Sequence, residues 1–164
     1  MISKTMETAI NDQMQKEFYS SYLYLAMSAY LESKNLCGMA HWMDVQSSEE
    51  RGHAMKFMKY LQDRSGAVKL GAIEQPPAKW KSPMEAFEQS LGHERMITAS
   101  IGKINDLAAK ENDPATQVML QWFISEQVEE EKNAELNVQQ FKMIEAHETA
   151  VYILDHQMGK RGKG

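Results

Sequence analysis

The sequence predicts an all-α protein, a four-helix bundle with one long crossover connection and a short fifth helix. Apolar residues recur every three or four positions through most of the 164-residue chain, which is helical spacing. Only 4 Pro and 9 Gly residues are present, which favours long helices. The stretch 66–81 lacks this period and contains Pro76-Pro77. These observations favour one domain over residues 1–164, with the stretch 66–81 as the crossover.

The first two helices are bounded by a break in the apolar pattern. The first is predicted at about 3–33, before Asn35-Leu36-Cys37-Gly38, because Asn and Gly tolerate a left-handed backbone. The second is predicted at about 39–64. The short turn between them predicts that they are antiparallel neighbours.

The connection 66–81 is long enough to change the direction of the bundle. Its residues can span at most about 55 Å when extended, and the second helix is about 39 Å long. The chain can therefore return to the opposite end, so that the second and third helices run parallel.

The last three helices follow from capping signals and a second break. The third is predicted at about 83–111, because Ser82-Pro83-Met84-Glu85 supplies an N-cap, a Pro at the first helical position and a capping Glu. Asp113-Pro114 predicts the start of a fourth at about 114–145. A short fifth helix is predicted at about 149–158.

Composition bounds the class of protein. The net charge of −5 disfavours a nucleic-acid partner, and the basic residues Lys160, Arg161 and Lys163 are interpreted as a short, solvated end. No apolar run is long enough for a membrane span, and the first residues lack a signal core. The single Cys37 fits a reducing compartment. We therefore expect a cytoplasmic protein with no membrane partner.

Each of the four long predicted helices carries a carboxylate in the middle of its apolar stripe. Helical spacing also places His53 on the same face as Glu50, and Gln127 one turn before Glu130. Four carboxylates in one bundle core would be untenable without cations between them, because burying an unpaired charge is costly. Two divalent ions would balance them, and the pattern therefore predicts a dinuclear metal site. The four acids are Glu17, Glu50, Glu94 and Glu130.

The donor types indicate which metal would bind. A set rich in carboxylate oxygen with a single imidazole suits iron or manganese better than structural zinc. Tyr24 lies two turns after Glu17 on the same face. It is either a core tyrosine bonded to the backbone or a hydrogen-bonding or redox group beside the metals.

A second set of acids adjoins these ligands, namely Glu49, Glu126 and Glu129. Two interpretations stay open for it. It is either a solvated acidic face, as runs such as Glu129-Glu130-Glu131 usually are, or a third, outer iron site that shares Glu130.

With these residues in place, the sequence resembles the ferritins, most closely the bacterial non-haem ferritins. The resemblance covers residues 10–154 and rests on several motifs in order. They are the stretch 17–24, EFYSSYLY; the stretch 49–53, EERGH; Asp113-Pro114; and the stretch 125–132, SEQVEEEK.

The resemblance implies a cage of 24 identical subunits that oxidises Fe(II) with O2 or H2O2 and stores ferric oxyhydroxide. It implies one iron held by Glu17, Glu50 and His53, and a second held by Glu50 and Glu94 with Gln127 and Glu130 nearby. It assigns Glu49, Glu126, Glu129 and Glu130 to a third iron site and Tyr24 to the catalytic tyrosine beside the centre. The fifth helix would lie at the four-fold contact of the cage.

Departures from related families narrow these expectations. Bacterioferritins bind haem through a Met directly after the bridging Glu, where this chain has Arg51, and we expect no haem. Two other functions are compatible with the sequence. One is a di-metal, peroxide-detoxifying protein that stores little iron, and the other is a metal-free helical scaffold.

Overall fold

The computed structural model describes residues 1–144 and 147–162. Within these ranges the predicted fold class is confirmed, since every regular element is an α-helix. None of these helices is long and apolar enough to cross a membrane. The predicted end of the fourth helix at 145 lies outside the described residues. The helices are α1 (Lys4–Glu32), α2 (Cys37–Asp63), α3 (Pro83–Lys110), α4 (Pro114–Ile144) and α5 (Glu148–Met158).

The helix ends follow the capping chemistry closely, with one instructive difference. The Ser82 hydroxyl accepts a hydrogen bond from the backbone N–H of Glu85 at 3.1 Å, as the sequence predicts. However, α2 begins at Cys37, two residues earlier than predicted. Asn35, with a φ of 59°, completes the reversal by itself. Gly38 is therefore not needed for the turn.

The bundle has the helix directions that the crossover predicts. The Ser3 hydroxyl, before α1, donates to Glu111, after α3, at 2.5 Å, so these two helices are antiparallel. Helices α2 and α4 are antiparallel as well, because Arg64 after α2 binds Asp113 before α4 through two N–H···O bonds of 3.0 and 3.1 Å. With α1 and α2 antiparallel neighbours, α2 and α3 run parallel.

The crossover 66–81 rises along α1. Near its start, the backbone N–H of Gly71 donates to the Gln15 side chain at 3.2 Å. Near its end, the Trp80 ring lies 5.2 Å from that of Tyr30. The connection therefore travels from one end of the bundle to the other, which the fold requires.

The core consists of two apolar clusters with a polar layer between them. One cluster fills the end of the bundle around Met27, Met43, Phe87 and Phe141. The other fills the opposite end around Met14, Phe57, Ile101 and Phe123. Buried polar residues in the middle of the four helices occupy the layer between. This layer positions the candidate site.

Helix α5 packs against the start of α2. The Asp155 carboxylate accepts a hydrogen bond from the backbone N–H of Met39 at 2.8 Å and so caps the N-terminus of α2. The backbones touch at this point, because Gly159 N lies within 3.1 Å of the position that a Gly38 Cβ would occupy. Leu154 and Met158 are buried by the contact. Gly38 therefore serves helix packing.

The basic end of the chain differs from expectation at one residue. Arg161 is not solvated, because its guanidinium packs 4.2 Å above the Trp42 ring and donates to the Trp42 carbonyl at 3.2 Å. Lys160 is exposed, as predicted, and Lys163 lies outside the described residues. The sequence interpretation was wrong for Arg161 because its partners lie more than 100 positions away.

We predict that Gly38→Ala releases α5 from α2. The added methyl group would lie 1.8 Å from the Asp155 carbonyl oxygen. Because this oxygen belongs to the backbone, the clash can be relieved only if α5 moves away from α2. We expect a loss of about 1–3 kcal/mol in stability and faster amide hydrogen exchange in residues 148–158.

Gly92→Ala is the matched control, because an added Cβ there meets nothing within 4 Å. It should be neutral or slightly stabilising in a helix. Unchanged exchange in α5 of the Gly38 variant would contradict the close packing.

Candidate metal centre

Four helices deliver the predicted acids to the polar layer in the middle of the bundle. Their exposed fractions are 0% for Glu17, 1% for Glu50, 2% for Glu94 and 5% for Glu130. Among the described residues, no ion pair joins a Lys or Arg to any of them. The layer is therefore a buried group of acids that has no Lys or Arg partner in the described part of the chain.

The i,i+3 pair on α2 forms as the spacing predicts. His53 Nδ1 lies 3.3 Å from Glu50 Oε2, and both side chains are buried. The imidazole ring is fixed by edge-on contacts with Trp122, at 5.4 Å between centroids, and Phe123, at 6.0 Å. Packing thus holds one imidazole nitrogen toward the acids.

The acids form two overlapping groups with the geometry of cation sites. Ligand atoms of Glu17, Glu50 and His53 all lie within 4.8 Å of one another. The same holds for Glu50, Glu94 and Glu130. Glu50 belongs to both groups, and two oxygens on one carboxylate allow it to bridge two ions.

Glutamine amides hold these carboxylates in place. Gln13 donates to Glu17 at 2.8 Å. Gln46 donates to Glu50 at 3.0 Å and to Glu130 at 2.8 Å. These neutral donors orient the oxygens and leave the negative charge available to a cation.

Gln127 holds Glu94 in the same way. Its amide donates to a carboxylate oxygen of Glu94 at 3.2 Å and to the Thr98 hydroxyl at 3.2 Å. The predicted position of Gln127 beside the centre is therefore what the structure has. Its nitrogen faces the acid, so it orients Glu94 by hydrogen bonding.

The electrostatics of the layer favour binding of either protons or metal ions to the carboxylates. Burial, and then the neighbouring Glu50 carboxylate, raises the pKa of Glu17 to about 8. Burial and Glu94 raise the pKa of Glu130 to about 7. The pKa of Glu50 is raised well above its usual range by burial and then by Glu94 and Glu130. A cation that binds here must displace protons.

One carboxylate oxygen in the layer lacks the hydrogen bond that such a buried atom usually has. Glu17 Oε2 is buried and has no hydrogen-bond partner among the described residues. A buried carboxylate oxygen without a donor is costly in an inert core. Glu17 lies in the group with Glu50 and His53, and either a metal ion or a proton shared with Glu50 would satisfy this oxygen.

Comparison with known proteins agrees with this geometry. Residues 7–144 match the Ferritin-like domain family. The chain belongs to the ferritin family. The bacterial non-heme ferritin of Bacteroides fragilis is 42% identical over 161 residues, 98% of this chain and 100% of the relative. That of Staphylococcus aureus is 33% identical over 161 residues, 98% of this chain and 97% of the relative.

A solved structure is similar along the same length. It is an open pore ferritin from the hyperthermophilic archaeon Archaeoglobus fulgidus, with 42% identity and a TM-score of 0.97. The alignment covers 98% of this chain and 99% of that one. The ferritin fold with its long crossover is thus shown.

Tyr24 of this ferritin chain lies against the centre. Its hydroxyl donates a short hydrogen bond to Glu94 and accepts a longer one of 3.4 Å from Ser90. Burial, and then the charge of Glu94, raises its pKa well above the usual range. It is therefore a neutral hydrogen-bond donor to a candidate ligand, which agrees with the second of the two interpretations.

The acids assigned to a third iron site are dispersed in the structure. Ligand atoms of Glu126 lie within 4.8 Å of those of His53 and Glu130. Glu49 instead binds Arg161 at 2.5 Å, and Glu129 is exposed. The structure thus brings Glu126 to the centre, whereas Glu129 joins none of the groups found among the described residues. The third site stays a prediction.

Several residues at the site were not singled out from the sequence. Gln13 precedes Glu17 by four positions, as Gln46 precedes Glu50. This i,i+4 spacing of an amide and an acid is a signal that could have found both donors. His93, whose ring lies 6.0 Å from Tyr24, carries no comparable local signal.

We predict that Glu17→Gln makes the metal-free chain more stable at alkaline pH. The folded pKa of about 8 exceeds the reference value of 4.5, so the folded chain binds more protons between these values. Stability therefore falls as pH rises through this window. A glutamine cannot ionise and avoids the loss.

The variant should exceed the parent by about 1–4 kcal/mol near pH 8.5 and match it near pH 4.5. Chemical denaturation with chelator present measures the difference. Glu88→Gln on the exposed face of α3 is the control. An equal gap at both pH values would mean that folding does not raise the pKa of Glu17.

Proposed function

We propose that this chain binds two Fe(II) ions at the buried acids, oxidises them with O2 or H2O2, and stores the ferric product as an oxyhydroxide inside a cage. Membership of the ferritin family supports the general function, iron storage with ferroxidase activity. The assignment of particular residues to each step is the proposal.

The observation that carries the proposal is the pair of overlapping groups that share Glu50. One iron would bind Glu17, Glu50 and His53. The other would bind Glu50, Glu94 and Glu130, with Gln127 and Tyr24 orienting Glu94. A donor set of carboxylates with one imidazole suits Fe(II), and a shared carboxylate holds two ions close enough to react together.

The chemistry requires two electrons to leave the pair of ions at once. Two Fe(II) ions supply one electron each, and O2 takes both with two protons to give H2O2. If H2O2 is the oxidant, the same two electrons and two protons give two water molecules. The residues fix the ions and leave positions open for the oxidant.

Neutral donors would help the product to leave. Gln13, Gln46 and Gln127 orient the acids without adding charge. Fe(III) binds carboxylates tightly, so a fifth acid in place of an amide would hold it longer. A metal-free scaffold is disfavoured for a separate reason. Burying the Glu17 oxygen without a hydrogen bond lowers the stability of the bundle, and a scaffold would have no use for that cost.

Assembly into a 24-subunit cage, and a cytoplasmic location, are part of this proposal. Large apolar side chains on the outer faces of α4 and α5 support assembly. Val118, Val128, Tyr152 and Ile153 are 54–72% exposed in the single chain, and subunit contacts would cover such residues.

We predict that Glu50→Ala combined with His53→Ala abolishes fast iron oxidation. The variant loses the bridging carboxylate and the only imidazole of the first group. The ferric absorbance after mixing with air should then rise no faster than in buffer, while light scattering still detects cages. Glu88→Ala, on the exposed face of α3, is the control.

The unmodified chain supplies the reference for this experiment. It should oxidise about two or three Fe(II) per subunit rapidly and then take up many more slowly. A small particle that stores little iron would favour peroxide detoxification. Normal rapid oxidation by the double variant would refute the ligand assignment.

We predict that Tyr24→Phe slows oxidation by roughly tenfold without removing metal binding. The change deletes one hydrogen bond to Glu94 and keeps the ring in the core. Anaerobic Co(II) titration should still show two ions per subunit. Loss of one Co(II) ion would mean that Tyr24 is needed for the ligand itself to form.

A further inference from the structure

Arg161 lies three residues after the end of α5 and is held firmly on α2. Its backbone carbonyl accepts from His41 Nε2 at 3.0 Å when that nitrogen is protonated. Its guanidinium lies over the Trp42 ring and donates to the Trp42 carbonyl. The side chain is only 20% exposed. Three separate contacts thus place one positive charge beside the polar layer.

The other edge of the guanidinium faces two residues on α2. Its Nη2 donates to Glu49 Oε2 at 2.5 Å and to Gln46 Oε1 at 2.8 Å. Gln46 in turn donates to Glu50 and Glu130. A single side chain, the Gln46 amide, therefore connects Arg161 by hydrogen bonds to two of the candidate iron ligands.

Glu49 lies close enough to the candidate ligands for the group bound to it to affect metal binding there. Arg161 Nη2 contacts both Glu49 and Gln46, and Gln46 donates to Glu130, so two hydrogen-bonded residues join the two carboxylates. Glu130 also lies in the group with His53 and Glu126. A cation bound by this outer group would gain a further carboxylate only if Glu49 left Arg161.

We propose that Arg161 is a built-in cation that competes with a metal ion for Glu49, and so weakens binding of any ion beyond the two at the buried centre. This inference rests on the proposed function. A carboxylate oxygen that holds a guanidinium at 2.5 Å cannot also bind a metal ion fully. An ion bound through Glu49 must therefore displace Arg161 from Oε2 or share the carboxylate with its positive charge through Oε1, and either lowers its affinity.

Arg161 would thus be a positioning residue whose charge distinguishes the outer ion from the two inner ones. It touches neither buried group of ligands directly, because Gln46 lies between. Its charge is therefore expected to act on the outer ion and to leave the two inner ions nearly unaffected. This separation is what an experiment can measure.

The test is a Co(II) titration of the full, metal-free chain. Calorimetry and the visible absorption of bound Co(II) monitor the binding. Arg161→Gln keeps a donor for Gln46 Oε1 but removes the charge. We expect the weakest class of Co(II) site to bind roughly tenfold more tightly, while the two tighter sites change by less than about twofold. Arg161→Lys restores the charge and should return the weak class toward its original affinity.

Lys160→Gln is the matched control, because it removes the same charge from the neighbouring, exposed residue. It should leave all classes unchanged. Glu49→Gln should abolish the weak class, and Arg161→Gln should then have no further effect, as a double-mutant cycle requires.

The outcomes separate this inference from the proposed function. If the parent binds two Co(II) ions per subunit but Arg161→Gln leaves the weak class unchanged or weaker, the competition is refuted and the function stands. Equal tightening by Lys160→Gln would also refute it, because general charge would then suffice. If the parent binds no Co(II) at the buried acids, the proposed function itself fails.

Discussion

The layer of buried carboxylates is the constraint on which the rest of this ferritin chain depends. Four acids with exposures of 0–5% lie in one layer of the bundle, and the groups around them are amides, a phenol and one imidazole. Amides and a phenol orient charge without neutralising it, and one imidazole can offset at most one of the four negative charges. The layer is therefore a cost to the fold that only protons or metal ions remove. The apolar clusters on either side provide the stability that the layer does not.

The features that the sequence predicted depend on residues within a turn or two of one another. Caps such as Ser82 and the shared face of Glu50 and His53 are local, and helical spacing determines them. The four central acids were predictable because each interrupts an apolar stripe in mid-helix. Antiparallel packing then brings mid-helix positions to one level whatever the details of the loops.

The features that it did not predict depend on contacts between distant segments. Arg161 reaches Glu49 across 112 positions, and no periodicity records that distance. Glu126 and Glu129 have the same local signal, yet Glu126 lies by His53 and Glu129 is exposed. Their difference arises from the rotation of α4 against α2, which side-chain packing decides.

The placement of Arg161 shows how the chain can use a positive charge near an acidic centre without closing it. A guanidinium inside the layer would pair with the carboxylates bidentately and occupy the oxygens that a metal needs. In the structure the Arg161 guanidinium lies outside the layer, with the Gln46 amide between them. The only carboxylate it pairs with in the described residues is the partly exposed Glu49. Gln46 carries no charge of its own. The oxygens of the inner acids are thus not taken up by the guanidinium, while Glu49 already has a positive partner. Docking of α5, which brings Arg161 to this position through the Gly38–Gly159 contact, therefore couples the end of the chain to the charge balance of the centre.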